Sequence, residues 1–496
     1  MTQILSDTEL KRLKPAQTKA FRSPIPTQII SNGEFSPSPQ TEQQQQVESR
    51  IKQLADELGK NQGLSRRQFL TSASGMAAAF LAMNEVYGSL FRVNKAEAAE
   101  PDRAMERAHT LQGQFIFDDQ VHFVHDNYKQ EGILNMARFA ADHWNPNISK
   151  EQLSLADFKF RNFIRQIFLN SDTKIALLSG APFDDPNWWL LPNDQIRDAV
   201  TTVNKLAGSR RMLGHFVITP KQPAWLDKAI EVMETGHTDS WKAYTIGDPF
   251  TPASKYPWRL DDEELMYPFY EKAVKAGIQN LAIHKGLLPA DYEKSWPDVW
   301  QHATAWDIGK AAKDWPQMNF IIYHSALRPA FELPDQALAE FEASGEIKWA
   351  SDLARIPEEQ GVNNVYAELG TCFANSATAN PRFAAALMGT LIKGLGADHV
   401  VWGTDSVWYG SPQWQIEALR RLEIPEDMQK KHDFTPLGPA DGQVKNKIFG
   451  LNSAKLYNLD PHFVLQTLNT DKIARMKQEY TQSNELRDNA SYGYII

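Results

Sequence analysis

Six residues of this 496-residue chain carry side chains able to bind a cation or move a proton, and they recur at similar places: Gln120 and His122 in "FIFDDQVHFVHD", His284 in "LAIHKG", His324 in "IIYHSA", Glu368 in "VYAELG" and Asp405 in "VWGTDS". Each lies at or near the end of a short apolar run. Neutral imidazoles with a carboxylate suit Zn²⁺, and Mn²⁺ or Fe²⁺ fit where further oxygen donors join. Taken singly, a histidine in an apolar strand is more often a hydrogen-bonded core residue than a ligand, and an aspartate in "GTDS" can simply cap a turn. It is the shared position at run ends that favours a common site. Successive strand residues face opposite ways, so Gln120 and His122 share one face. A glutamine carbonyl can ligate a hard cation but brings no charge. Gln120 is therefore either a weak fourth ligand or a hydrogen-bond donor behind the ligands, and weak metal retention follows from both.

Eight such runs cover residues 115–123, 173–180, 211–220, 240–247, 279–286, 318–326, 364–371 and 399–406. Amphipathic stretches separate them, among them "DQIRDAVTTVNKLAG" and "RFAAALMGTLIKGLG", several ending at a glycine able to take the left-handed capping conformation. Strand and helix alternating eight times predicts a (β/α)8 TIM barrel of the α/β class, whose catalytic groups gather at the carboxyl ends of the strands. An open doubly wound sheet would show a glycine-rich phosphate turn after its first strand, and none follows Phe123.

In this order, "DDQVHF", "LAIHKG", "IIYHSA", "VYAELG", "VWGTDS" and the closing "IFGLNSAKLYNL" resemble the amidohydrolase-related family of metal-dependent hydrolases, the branch that includes enzymes of the aminocarboxymuconate-semialdehyde decarboxylase type. The resemblance spans residues 115–459. It implies one divalent ion, Zn²⁺ with Mn²⁺ or Fe²⁺ as alternatives, held by the first-strand pair with His284 and Asp405. His324 would stand beside it and move protons. Many members have two alternate histidines on the first strand, and some decarboxylases have glutamate before the histidine; Gln120 departs from both patterns. The implied activity is hydrolysis of a small ester, lactone or amide by a metal-activated water, with Asp405 taking its proton and His324 steadying the developing oxyanion. The alternatives are non-oxidative decarboxylation of an aromatic or unsaturated acid, and a catalytically inactive barrel that only binds. On the substrate side, Arg328 and Lys285 are candidates for a carboxylate, Trp408 for an aromatic wall, and Glu368 for a polar contact.

Composition narrows the partners. A net charge of -9 offers no basic excess for nucleic acid, and the single cysteine, Cys372, excludes an internal disulfide. Residues 1–64, rich in Ser, Pro and Gln, read as a largely disordered extension with one short-helix candidate at Ile51 to Leu58. In residues 65–99, "SRRQFLTSASGMAAAFLAM" resembles a twin-arginine signal, with an apolar stretch too short for a membrane span and a cleavage candidate at "AEAA", Ala96 to Ala99. The expectation is passage through the twin-arginine export machinery to the periplasm, with a mature chain from about Glu100. The barrel then occupies residues 100–465 and a polar tail 466–496. A small molecule is the expected substrate, and association with further copies is open.

Overall fold

The structure, a computed structural model, describes residues 23–32, 34, 35, 39–128, 134, 154–236, 238–249, 254–288, 292–328 and 334–483. Eight strands form one sheet: β1 (Phe117–Val121), β2 (Ile175–Leu178), β3 (Met212–Val217), β4 (Ser240–Tyr244), β5 (Asn280–His284), β6 (Asn319–Tyr323), β7 (Val365–Glu368) and β8 (Val400–Val401). Each falls inside one of the eight apolar runs. They pair in sequence order, every pair parallel. Almost every strand residue is buried, as strands in a parallel sheet covered on both faces must be. The cylinder closes through the backbone just beyond β8: the Asp119 amide donates to the Trp402 carbonyl (2.8 Å), Asp405 to Gln120 (2.9 Å) and His122 to Ser406 (2.6 Å). The protein is thus a (β/α)8 TIM barrel.

Ahead of the barrel, residues 1–22, 33 and 36–38 lie outside the described residues, while residues 23–32, 34, 35 and those from 39 as far as β1 are described. Helix α1 (Glu42–Asn61) opens with a capping box between Thr41 and Gln44, and it buries Val47, Ile51, Leu54 and Ala55 at helical spacing. It contains the short-helix candidate at Ile51 to Leu58 and extends it toward the N-terminus through the Gln-rich run. Helix α2 (Ala73–Tyr87) is the apolar segment of the expected signal, and its Ala77, Ala78, Ala79, Phe80 and Ala82 are at most 1% exposed. Gly75 lets α2 approach closely, since a Cβ there would sit 2.2 Å from the Phe69 carbonyl oxygen. A short helix, Lys95–Ala99, and α3 (Pro101–Leu111) lead into β1. Among the described residues no helix is long and apolar enough to cross a membrane.

The outer ring includes α4 (Asn193–Ala207), α5 (Trp225–Thr235), α6 (Tyr267–Lys275), α7 (Ile308–Asp314), α8 (Ala350–Gln360), α9 (Cys372–Ala379), α10 (Pro381–Leu395) and α11 (Gln413–Arg421). As its sequence suggested, α4 stops at a left-handed glycine, Gly208; α5 and α8 also stop at left-handed Gly236 and Gly361, whereas α10 meets Gly396 at φ 84 and ψ 150, positive in φ but extended in ψ. Glu417 of α11 sits under three arginines, accepting from Arg107 Nη1 (2.6 Å), Arg420 Nη1 (2.9 Å) and Arg421 Nε (3.1 Å), while Arg421 also grips Glu97. That buried network fastens residues 97–107 to the barrel. At the other end of the chain, Asp471 pairs with Arg211 (2.6 Å) and caps α12 (Lys472–Gln482), so the tail packs on its own barrel as far as residue 483.

Candidate metal centre

All six residues singled out by type and spacing reach the carboxyl rim of the barrel, and each is at most 5% exposed. Gln120 lies in β1 with His122 just past it, His284 ends β5, His324 follows β6, Glu368 ends β7 and Asp405 lies beyond β8. The backbone is left-handed at His324, Thr371 and Asp405, a conformation that strains non-glycine residues and clusters at functional sites. Glu368 holds part of this rim. Its Oε1 accepts from the Gly370 amide (2.6 Å) and its Oε2 from the His324 amide (3.1 Å), while burial pushes its carboxyl well above the usual range. A side chain at Gly403 would collide with Glu368 Oε1, its Cβ falling 1.6 Å away. Both oxygens of Glu368 are therefore taken by main chain, which differs from the expected substrate contact.

Asp405 is the most heavily bonded acid of the rim. Its Oδ1 lies 3.0 Å from His122 Nε2 and accepts from Gln120 Nε2 (3.0 Å); its Oδ2 accepts from Thr371 Oγ1 (2.5 Å) and Asn32 Nδ2 (3.0 Å). Burial alone would raise the carboxyl, but His122, His324 and the Thr371 hydroxyl outweigh it and hold Asp405 below its ordinary value. His122 Nδ1 lies against the Ser179 carbonyl (2.9 Å), to which it donates, and its Nε2 faces Asp405 Oδ1. The amide of Gln120 reaches both, donating to Asp405 (3.0 Å) and contacting His122 Nε2 (3.3 Å). As placed, Gln120 is a donor behind the ligands, with Oε1 turned away and unpartnered.

A trio gathers beside this pair. Ligand atoms of Glu34, His284 and His324 lie within 4.8 Å of one another, all buried. The expected set of His122, His284 and Asp405 does not form such a trio among the described residues: His122 stands against Asp405, and His284 against His324 (ring centroids 4.7 Å). His324 Nδ1 is tied to the Gly370 carbonyl (2.9 Å), which leaves Nε2 for a ligand. Neither nitrogen of His284 has a hydrogen-bond partner although the ring is 1% exposed. A fully buried imidazole so orphaned is what a metal site without its ion should show. The residues fit a divalent cation, with His284, His324 and Glu34 as donors and the Asp405–His122 pair alongside. Glu34 lies more than eighty residues before β1 in a polar stretch with no periodicity, and nothing in its sequence surroundings marks it.

Both imidazoles are in the neutral form that metals require. Burial drives His284 well below its ordinary value, and it takes His324 from 6.5 to about 4. The unfolded chain protonates His324 near 6.5 and the folded chain only near 4, so the contribution of this ring to stability is complete above 6.5 and is lost as pH falls through that interval, and the lowered His284 acts in the same direction. Thermal melts of metal-free protein should therefore show a midpoint that drops between these limits, and His324→Gln should flatten the slope. A wild-type midpoint unchanged down to pH 4 would contradict the burial of neutral rings.

Other expected substrate groups fare unevenly. Lys285 turns out of the barrel, as the residue after His284 must, and its Nζ is fully buried against Asp307 Oδ1 (2.7 Å) and the His302 carbonyl (2.8 Å). It is a structural ion pair, not a rim cation. Arg328 lies with its guanidinium 5.0 Å over the Tyr292 ring. Trp408 does line the centre, stacked on His122 at 6.0 Å. Lys242 of β4 lies outside the set of candidates drawn from the sequence. It is fully buried, its Nζ lies 3.4 Å over the Tyr323 ring without a hydrogen-bond partner, and burial lowers it to about 7.

A family model described as Amidohydrolase matches residues 121–459. No curated protein sequence matches the chain. Solved structures are similar to the chain at low identity. An uncharacterised TIM-barrel protein from Bordetella bronchiseptica is 14% identical, with 69% of this chain and 98% of that one covered and a TM-score of 0.40. A 5-carboxyvanillate decarboxylase from Sphingomonas paucimobilis is 13% identical over 70% of this chain and 100% of its own, TM-score 0.39. A putative 2-pyrone-4,6-dicarboxylic acid hydrolase from Pseudomonas putida is 12% identical over 70% and 98%, TM-score 0.39.

Proposed function

Because the chain belongs to the amidohydrolase family, its model covering more than two thirds of the residues, we propose that this protein is a metal-dependent enzyme that hydrolyses a small ester, lactone or amide. One observation carries the reading: the buried imidazole of His284, with neither nitrogen hydrogen-bonded, stands with that of His324 beside an aspartate held below its ordinary pKa. A divalent ion bound there supplies Lewis acidity and a nucleophilic water at neutral pH.

The chain's own groups do the rest. Asp405, low in pKa and accepting from Gln120, Thr371 and Asn32, takes the proton at Oδ1 or Oδ2 and returns it to the leaving group. His122 stays fixed through its Nδ1–H on the Ser179 carbonyl, and Gln120 touches both His122 Nε2 and the carboxylate. His324, oriented by its bond to the Gly370 carbonyl, presents Nε2 to the substrate side. Trp408 shields one flank from water.

A second reading, loss of carbon dioxide from an unsaturated or aromatic acid, draws on Lys242, a buried cation with no hydrogen-bond partner next to a centre that already accommodates a carboxylate, that of Glu34. Elemental analysis of freshly purified protein tests the common premise: about one equivalent of Zn, Mn or Fe is expected, and its loss in His284→Ala. Absence of metal, with no rise in thermal midpoint on adding Zn²⁺ or Mn²⁺, would favour a binding protein. Assays of lactones and esters beside a panel of aromatic acids, followed by carbon dioxide release, separate the two enzymes.

A further inference from the structure

Residues 23–32, 34 and 35 cross the mouth of the barrel as a strap. Ser23, Ile25, Ile29, Ile30, Ser31 and Phe35 are at most 2% exposed, so the strap is seated as deeply as core. Asn375 of α9 reads its main chain from both sides, accepting from the Ile30 amide (3.2 Å) and donating to the Ile30 carbonyl (3.0 Å). Ser31 Oγ donates to the Phe35 carbonyl (2.6 Å) and closes a turn. That turn aims two side chains inward: Asn32, which donates to Asp405 Oδ2, and Glu34, whose Oε1 lies 3.5 Å from His284 Nδ1.

Charge explains why a carboxylate should be there. Two neutral imidazoles and Asp405 would leave a divalent ion with one uncompensated positive charge in a site closed to water, and a buried unpaired charge is costly. Gln120 supplies none. One more carboxylate brings the count to neutrality, and Glu34 is the one in reach.

We propose that Glu34 is the anionic ligand of the divalent ion, delivered by the strap in place of the charge missing at Gln120, so that metal binding and strap docking are a single coupled event. This rests on the reading of the centre as a metal site. By reciprocity, whatever factor the docked strap adds to metal affinity, the metal adds to strap docking.

The test is Zn²⁺ affinity by chelator competition together with amide hydrogen exchange of residues 23–35, on full-length wild type, Glu34→Gln, Asn375→Ala and His284→Ala. Expected results are slower strap exchange when Zn²⁺ is added to wild type, an affinity loss of ~10- to 100-fold or more in Glu34→Gln with the Zn²⁺-dependent protection gone, and a smaller loss in Asn375→Ala, where Glu34 is intact but its tether is cut. Wild-type affinity in Glu34→Gln with strap exchange indifferent to Zn²⁺ overturns the coupling while the metal centre stands, provided His284→Ala has lost the ion. If wild type itself takes up no Zn²⁺, the metal reading falls and this inference with it.

Discussion

Asp405→Asn should lower turnover by ~10²- to 10⁴-fold, the range that a positioned proton acceptor contributes, while the barrel still melts in one transition. Four groups explain why so small a change matters. The carboxylate accepts from Gln120 and Thr371 and from Asn32 of the strap, and it stands 3.0 Å from His122 Nε2. An asparagine must turn an NH₂ toward two of them, leaving at least one donor facing another. The expected stability cost is about 1–3 kcal/mol, as for a buried group stripped of its partner. The loss of activity should exceed it by far, because the amide cannot take a proton. Steady-state assays read the first effect and thermal melts the second. Undiminished turnover would remove Asp405 from the chemistry.

The second large effect concerns the first hundred residues. A chain beginning at Glu100, the start expected for a processed protein, lacks α1, α2 and Glu97. Arg421 is 2% exposed and then keeps only Glu417 as an anion, and removing one partner of a buried pair costs about 3–5 kcal/mol. The apolar faces of α2 and α1 are lost with it, including Phe80, which lies under the Arg421 guanidinium at 5.4 Å. We expect the shortened chain to be insoluble or to melt well below the full one, and Glu97→Gln to show the electrostatic part alone. Equal midpoints for the full and shortened chains would mean that the segment is a detachable leader after all.

How much of this could be read from residues alone follows from what each feature depends on. The strands were legible because apolar runs of four to nine residues recur between helical stretches, and the rim residues were legible because barrel geometry puts chemistry at strand ends. His122 and Asp405 touch as expected. What escaped are contacts made by chain distant in sequence. Glu34 and Asn32 sit in a Ser- and Pro-rich stretch whose composition argues for disorder, and only the docked backbone shows that Asn375 holds it. Lys285 was misjudged for a simpler reason: it follows His284 by one, and alternation sends it to the other face, against Asp307. Glu368 looked like a substrate contact because it ends a strand, yet its length lets it curl back to two main-chain amides.

The backbone bonds that sew the last strand to the first run through Gln120, His122 and Asp405 themselves. A slip of one residue along that seam would turn Gln120 and His122 outward and bring Val121 and Phe123 in. Closure of the cylinder and assembly of the candidate centre are thus one event, for the bonds that join the two strands also set His122 and Gln120 against Asp405.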